Sequence, residues 1–103
     1  MDTKTQRALL FADRAFILEI VEKARFASKQ AARAARAFTA LDPETGVEAS
    51  QKAAAAGSTL VQLQKLAEAS GIASRHRSAF LSAVTGDEDE VWSYFAAVAH
   101  EIG

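Results

Sequence analysis

Apolar residues recur at intervals of three, four and seven along the first part of the chain, which is the spacing of one face of an α-helix. The stripe consists of Leu10, Ile17, Val21, Ala24, Ala31, Ala35 and Phe38, and it is flanked by Ile20, Ala27 and Ala34. This pattern predicts one helix from about residue 3 to residue 40. At about 1.5 Å per residue the helix would be about 57 Å long, which is long for a chain of 103 residues.

The sequence LDPETGVE interrupts this pattern and predicts a tight turn before a second helix, at about 44–70. Two starts are open for the second helix. Asp42 can cap it with Pro43 in the first turn, or Thr45 and Glu48 can form a capping box. Its apolar seam alternates by four and three residues and consists of Ala49, Ala53, Ala56, Leu60, Leu63, Ala67 and Ser70.

Two shorter helices are predicted after the second one. Gly71 ends the second helix as a left-handed cap, and residues 72–84 form the third. The fourth, at about 88–102, starts in TGDEDE, because Asp87 and the acids after it are favoured at a helix N-terminus. We expect Tyr94 to keep its hydroxyl in water. The residues expected to be buried are Val91, Trp92, Phe95, Val98 and Ile102.

The tight turn makes the first two helices antiparallel neighbours. Ala31 would then lie near Ala53, and Ile20 near Leu63, so the hairpin is thin and lined with alanine near its turn. The shorter helices should pack at the thick end, where the apolar surface is larger. The expected fold is a single all-α domain over 1–103: a long antiparallel helical hairpin plus two shorter helices, similar to a four-helix bundle.

Composition narrows the possible functions. Half of the residues are apolar, but 24 of them are alanine, so large apolar side chains are few. The absence of cysteine excludes a disulfide scaffold, a thiolate metal site and a cysteine nucleophile. No apolar run is long enough to span a membrane, and Asp13 interrupts the only candidate core of a signal peptide. We therefore expect a cytoplasmic protein without a membrane partner.

The segment KARFASKQAARAARAF carries five cations and no acid, although the net charge of the chain is −1. Four of the cations step by four, four and three residues and share one helix face: Arg25, Lys29, Arg33 and Arg36. This basic stripe can be a solvated face, can bind an acidic protein, including the DEDE of a second copy, or can follow the phosphates of a nucleic acid. The pI of 6.1 and the lack of obvious exposed aromatic residues favour protein over nucleic acid.

Residues 66–84 resemble a helix-turn-helix DNA-binding motif. Gly71 stands at the turn, and Ala67 matches the small residue where the two helices cross. The residues that match core positions are Leu66, Ile72 and Phe80.

The resemblance implies that Arg75, His76 and Arg77 lie on a recognition helix and can contact nucleic acid. Two positions depart from the motif: Arg77 stands where it has Val or Ile, and Ser70 is a poor core residue. A plain helix that ends at glycine before another helix gives nearly the same string, so both interpretations stay open.

The sequence predicts no enzyme, metal site, cofactor or small-molecule substrate. His76 and His100 have no histidine or carboxylate at the spacings that metal-binding helices use. The acids at 87–90 lack the spacing and glycine of an EF-hand. The chain has neither a glycine-rich phosphate loop nor a GxSxG motif.

Two families of helical proteins are similar in size. The secreted WxG hairpins are excluded, because the turn DPETG lacks Trp-x-Gly. The chain is also similar to the small all-helical subunits of RNA-guided CRISPR complexes in its length and basic helix faces, without a diagnostic motif.

The expected function is that of a non-enzymatic helical interaction or adaptor subunit. It would self-associate or join a larger assembly through the alanine-lined hairpin and the basic face. Homo-oligomers are expected, because Leu9, Phe11, Phe16 and Leu18 give more apolar surface than one buried stripe requires. The alternative is a nucleic-acid-binding protein that uses residues 66–84 or the stripe at 25–36, for example a regulator or a small subunit of a nucleoprotein complex.

Overall fold

The computed structural model describes residues 2–103 and shows an all-α molecule that measures 58 × 24 × 17 Å. Its helices are α1 (Thr3–Thr39), α2 (Pro43–Ala69), α3 (Ile72–Arg75), α4 (Arg77–Val84) and α5 (Glu88–Ile102). The predicted all-α fold with a long first helix pair is confirmed. Within the described residues, none of these helices is both long enough and apolar enough to span a membrane.

The helix starts follow local capping rules. Asp42 caps α2: its Oδ1 accepts the N–H of Thr45 at 3.3 Å, and Pro43 is the first helical residue. Of the two predicted starts of α2, the one with Asp42 as cap and Pro43 in the first turn is therefore correct. Asp87 caps α5 in the same way and accepts the N–H of Glu90 at 3.2 Å.

The predicted single helix over 72–84 is wrong, because the chain forms two short helices with His76 between them. His76 has φ −126° and ψ 50°, which is outside the helical region. Its imidazole is buried and hydrogen-bonded to Asp13 of α1 and Tyr94 of α5. The break turns this side chain into the interior, and the described residues form five helices rather than four.

The seam between α1 and α2 differs from the prediction on α1. Ala34 and Ala37 are buried, whereas Ala31 and Ala35 are exposed. The predicted stripe advanced mainly by sevens, and a strict seven-residue repeat drifts by about 20° per heptad around a straight α-helix. Between Leu10 and Ala31 this drift accumulates enough to move Ala31 out of the contact. On α2 the three buried alanines all belong to the predicted seam: Ala49, Ala56 and Ala67.

The core lies at the thick end of the hairpin, as predicted. Ile17 and Ile20 are fully buried there, and α4 and α5 both pack against this half of α1. Val91 and Phe95 of α5 are also fully buried. The prediction that Trp92 is buried is wrong, since 44% of it is exposed. The remaining buried members of this core are Leu10, Val21, Ala67, Ala73, Ala79, Phe80 and Ala83.

Candidate interaction surfaces

The half of the hairpin near its turn projects from the core. The turn between α4 and α5 meets α1 at Arg25, where a Cβ placed on Gly86 would lie 3.0 Å from the Arg25 side chain. From Arg25 to Thr39, α1 continues for 14 residues, about 21 Å, with α2 as its neighbour. We call residues 26–57 the projecting half. A two-helix element of this kind is held mainly by one narrow seam.

The projecting half has small residues on its outside as well as in its seam. The exposed small residues of α1 in this half are one serine and three alanines: Ser28, Ala31, Ala32 and Ala35. Short side chains on an exposed helix face allow the backbone of another helix to come close. The outer face of α1 is therefore smooth over about two turns and offers little side-chain volume of its own.

The basic stripe separates into paired and unpaired cations. Arg25 Nη1 lies 3.2 Å from Oε2 of Glu88, and Arg33 Nη1 lies 3.7 Å from Oε1 of Glu48. Lys29 and Arg36, by contrast, form no ion pair within residues 2–103 and are exposed. The two cations that are free to bind a partner are thus seven residues apart, on one helix face next to the exposed alanines.

The acid opposite Arg33 belongs to a small charge network on α2. Lys52 Nζ lies 2.9 Å from Oε1 of Glu48. The hydrogen bond and charge of Lys52, together with the charge of Arg33, hold the pKa of Glu48 below its ordinary value of 4.5. Because these side chains are solvent-exposed, the network contributes little to stability, and its main effect is on the pKa of Glu48.

The turn at the end of the projecting half carries a strained apolar residue. Leu41 has φ 60° and is 88% exposed. It ends α1 in a Schellman motif, in which the Asp42 N–H donates to the Ala37 carbonyl at 2.9 Å. Glycine is favoured at this left-handed position, and Gly86 occupies the equivalent position after α4. Leucine costs roughly 1 kcal/mol more there.

Two further apolar side chains near the turn are partly exposed. Phe38 and Val47 are each about half exposed. The ring of Phe38 lies across Gly46, where a Cβ would come within 2.7 Å of the ring atoms, so glycine is required for this contact. We refer to Phe38, Leu41 and Val47 as the tip patch.

A buried polar cluster occupies the opposite end of the molecule. Nε2 of His76 lies 2.8 Å from Oδ2 of Asp13, and its Nδ1 lies 2.8 Å from the hydroxyl of Tyr94. Arg75 donates from Nη2 to both carboxylate oxygens of Asp13, at 3.2 Å each. The cluster thus joins α1 and α5 to the break between α3 and α4.

The cluster also changes the expectations for Tyr94. Its hydroxyl, which we expect to stay in water, is also hydrogen-bonded to His76, and the residue is half-buried. Burial raises the pKa of Tyr94, and the negative charges of Glu101 and Asp13 raise it further. A sequence signal for the cluster existed: Asp13 interrupts an apolar helical segment, and an acid in such a place needs a partner.

The predicted recognition helix of the helix-turn-helix resemblance is not continuous. The helix is interrupted at His76, which is buried, and Arg75 is bound to Asp13. Of the three predicted contact residues, only Arg77 is exposed without an ion pair within the described part of the chain. The three side chains therefore do not present one recognition surface.

A third surface feature was not predicted from the sequence. The guanidinium of Arg14 lies over two rings, with its Cζ 4.7 Å from the centroid of Phe11 and 4.8 Å from that of Trp92. Both rings are nearly half exposed. The spacing of Phe11 and Arg14 places them on one helix face, but no pattern in the sequence indicates that Trp92 of α5 completes the cluster.

No group of three or more histidine or acidic side chains converges as a metal site would require, within residues 2–103. Comparisons with protein-family models, with curated proteins and with solved structures find no match for this chain.

Proposed function

We propose that the protein is a non-enzymatic adaptor subunit of the cytoplasm, which joins a larger assembly by helix–helix contact through its projecting half. The observation that supports this proposal most strongly is the exposure and backbone conformation of Leu41. A large apolar side chain stands almost fully in water, in a backbone conformation that favours glycine. Residues held in a costly backbone conformation cluster at binding and other functional sites.

The chemistry of the surface defines the partner. The tip patch would bind an apolar pocket or ridge of the partner. The exposed alanines allow a helix of the partner to lie close to α1. Lys29 and Arg36 are two helical turns apart, so a partner helix would match them with two acidic side chains about seven residues apart. The expected partner is therefore an acidic, amphipathic helix.

Nucleic-acid binding is the competing function. The cations without partners support it, among them Lys29, Arg36 and Arg77. If these cations serve a protein partner, binding to nucleic acid should be weak and should fade near physiological salt, at about 150 mM, because few phosphates are neutralised. The strength of nucleic-acid binding at this salt concentration therefore separates the two functions.

The test compares three forms of the protein. The first is unchanged, the second carries Lys29→Glu with Arg36→Glu, and the third carries Lys4→Glu with Lys65→Glu, which makes the same charge change at exposed positions away from the projecting half. A photo-reactive residue at position 51, on the exposed side of α2, captures whatever protein contacts this half in a host extract.

We expect the first and third forms to give the same crosslinked protein, and the second to lose it. The identified partner should contain an acidic helix and should bind the purified unchanged protein. Equal capture by all three forms would contradict the proposal. Sub-micromolar binding of an oligonucleotide at ~150 mM salt, lost only in the second form, would make the competing function correct.

A further inference from the structure

The Phe11–Arg14–Trp92 cluster has the composition of an interface centre. Tryptophan and arginine dominate the binding energy of protein–protein contacts. Trp92 is the only tryptophan of the chain and is 44% exposed, and Phe11 is 46% exposed. The guanidinium of Arg14 is fixed by both rings, so it loses little freedom when it binds an acid. No carboxylate of residues 2–103 pairs with it.

An acid without a partner lies next to Trp92 along α5. Asp89 lies three residues before Trp92 on the same face of α5, is exposed, and forms no ion pair within the described chain. The patch therefore has an apolar centre, one free cation and one free acid. A surface of this kind is complementary to a copy of itself rotated about a two-fold axis.

We infer that this patch is the contact of a two-fold homodimer. Trp92 lies at the axis, and Arg14 of each copy pairs with the partner's Asp89. The surface beside it adds a groove of about 390 Å³, which is lined by Leu18, Val21, Glu22, Arg25 and Glu88. This inference is separate from the proposed function, since it concerns the opposite half of the molecule.

A second copy fits this patch better than a nucleic acid. The faces of both rings toward Arg14 are already covered, which limits the stacking of bases. Two acids of the first turn of α5 that form no ion pair within residues 2–103 lie within three residues of Trp92 and repel phosphates: Asp89 and Glu90. One guanidinium opposite one carboxylate, by contrast, leaves no excess charge at a two-fold axis.

The size of the patch predicts a weak dimer. The two half-exposed rings offer on the order of 200 Å² per copy, against about 800 Å² in a standard interface, so the dimer is expected to form only at high protein concentration. Such a dimer would carry two projecting halves. Two linked contact sites bind a paired target much more tightly than one site does.

The test is the mass of the protein in sedimentation over a range from about 1 to 500 μM, which covers weak association. The unchanged protein should pass from monomer to dimer, and Trp92→Ala should stay monomeric. Arg14→Glu and Asp89→Arg should each weaken the dimer at least tenfold, and the double variant should regain it. Lys29→Glu, on the projecting half, is the control and should dimerise normally.

The same variants show how the inference can fail. A monomer at every concentration overturns it, as does a dimer that Trp92→Ala leaves intact or that the charge exchange fails to restore. Binding of a single-stranded oligonucleotide to the monomer, lost in Trp92→Ala, would show that the patch is a nucleic-acid surface instead. Helicity measured by circular dichroism confirms that each variant is folded. The capture experiment at position 51 is independent of every one of these outcomes.

Discussion

Nε2 of His76 lies 2.8 Å from Oδ2 of Asp13, a residue 63 positions earlier in the chain. This bond holds an acid of the first helix against the break between α3 and α4. It places two polar side chains inside an otherwise apolar packing region, where each requires the other. The thick end of the molecule is therefore fixed by a specific polar contact as well as by burial.

Removal of the acid should destabilise the fold. Asp13→Ala leaves the buried imidazole without one of its partners and Arg75 without its carboxylate. We expect the free energy of unfolding to fall by about 2–4 kcal/mol, measured by urea titration. Glu19→Ala, an exposed acid on the same helix, should change it by less than about 0.5 kcal/mol. Equal effects of the two substitutions would show that the cluster has no structural role.

Tyr94 should release its proton at a higher pH than a free tyrosine. It is the only tyrosine of the chain, so the ultraviolet absorbance of tyrosinate reports on it alone. The midpoint in the folded protein should lie above 10.0, the ordinary pKa, and should return to that value in denaturant. Glu101→Gln removes one of the causes and should lower the folded midpoint. An unshifted midpoint would contradict the described environment.

The same shift fixes the sign of a pH effect on stability. A raised pKa means that the folded state holds the proton more tightly than the unfolded state does. The contribution of Tyr94 is therefore fully present below pH 10 and is lost as the pH rises through the folded pKa. Unfolding titrations on both sides of this value measure the loss, which Tyr94→Phe should abolish.

The seam of the hairpin can be tested with one matched pair of substitutions. Ala34 is buried between α1 and α2, whereas Ala31, less than one turn away, is exposed. Ala34→Leu should overpack the seam and lower the free energy of unfolding by about 1–3 kcal/mol. Ala31→Leu should leave it nearly unchanged. If Ala31→Leu lowered the melting temperature more than Ala34→Leu did, the seam predicted from the sequence would be correct instead.

Local sequence predicted the hairpin and the helix starts, with two alternatives left open for the start of α2. Asp42 and Asp87 are capping residues whose effect depends on the next few positions, and Pro43 fixes the first turn. The antiparallel arrangement follows from the short turn. These features were predictable because each depends on residues that are close in the chain.

Features that depend on distant residues were not predictable. The break at His76 exists because its imidazole bonds to Asp13, which no local pattern near residue 76 reveals. The exposure of Trp92 depends on how α5 is rotated against α1. Its apolar face is wide enough to allow several rotations, and the structure buries Val91 and Phe95 at one side of it. The cluster around Arg14 follows from that rotation.

The substitution Leu41→Gly tests whether the tip patch is a contact site, because it separates stability from binding. Glycine relieves the left-handed strain, so the free energy of unfolding should stay the same or rise by up to about 1 kcal/mol. It also removes the most exposed apolar side chain of the tip patch. We expect the variant to be at least as stable as the unchanged protein and to capture the protein partner at least tenfold less. A variant that is destabilised, or that captures the partner as well as the unchanged protein does, would show that Leu41 is not there for binding.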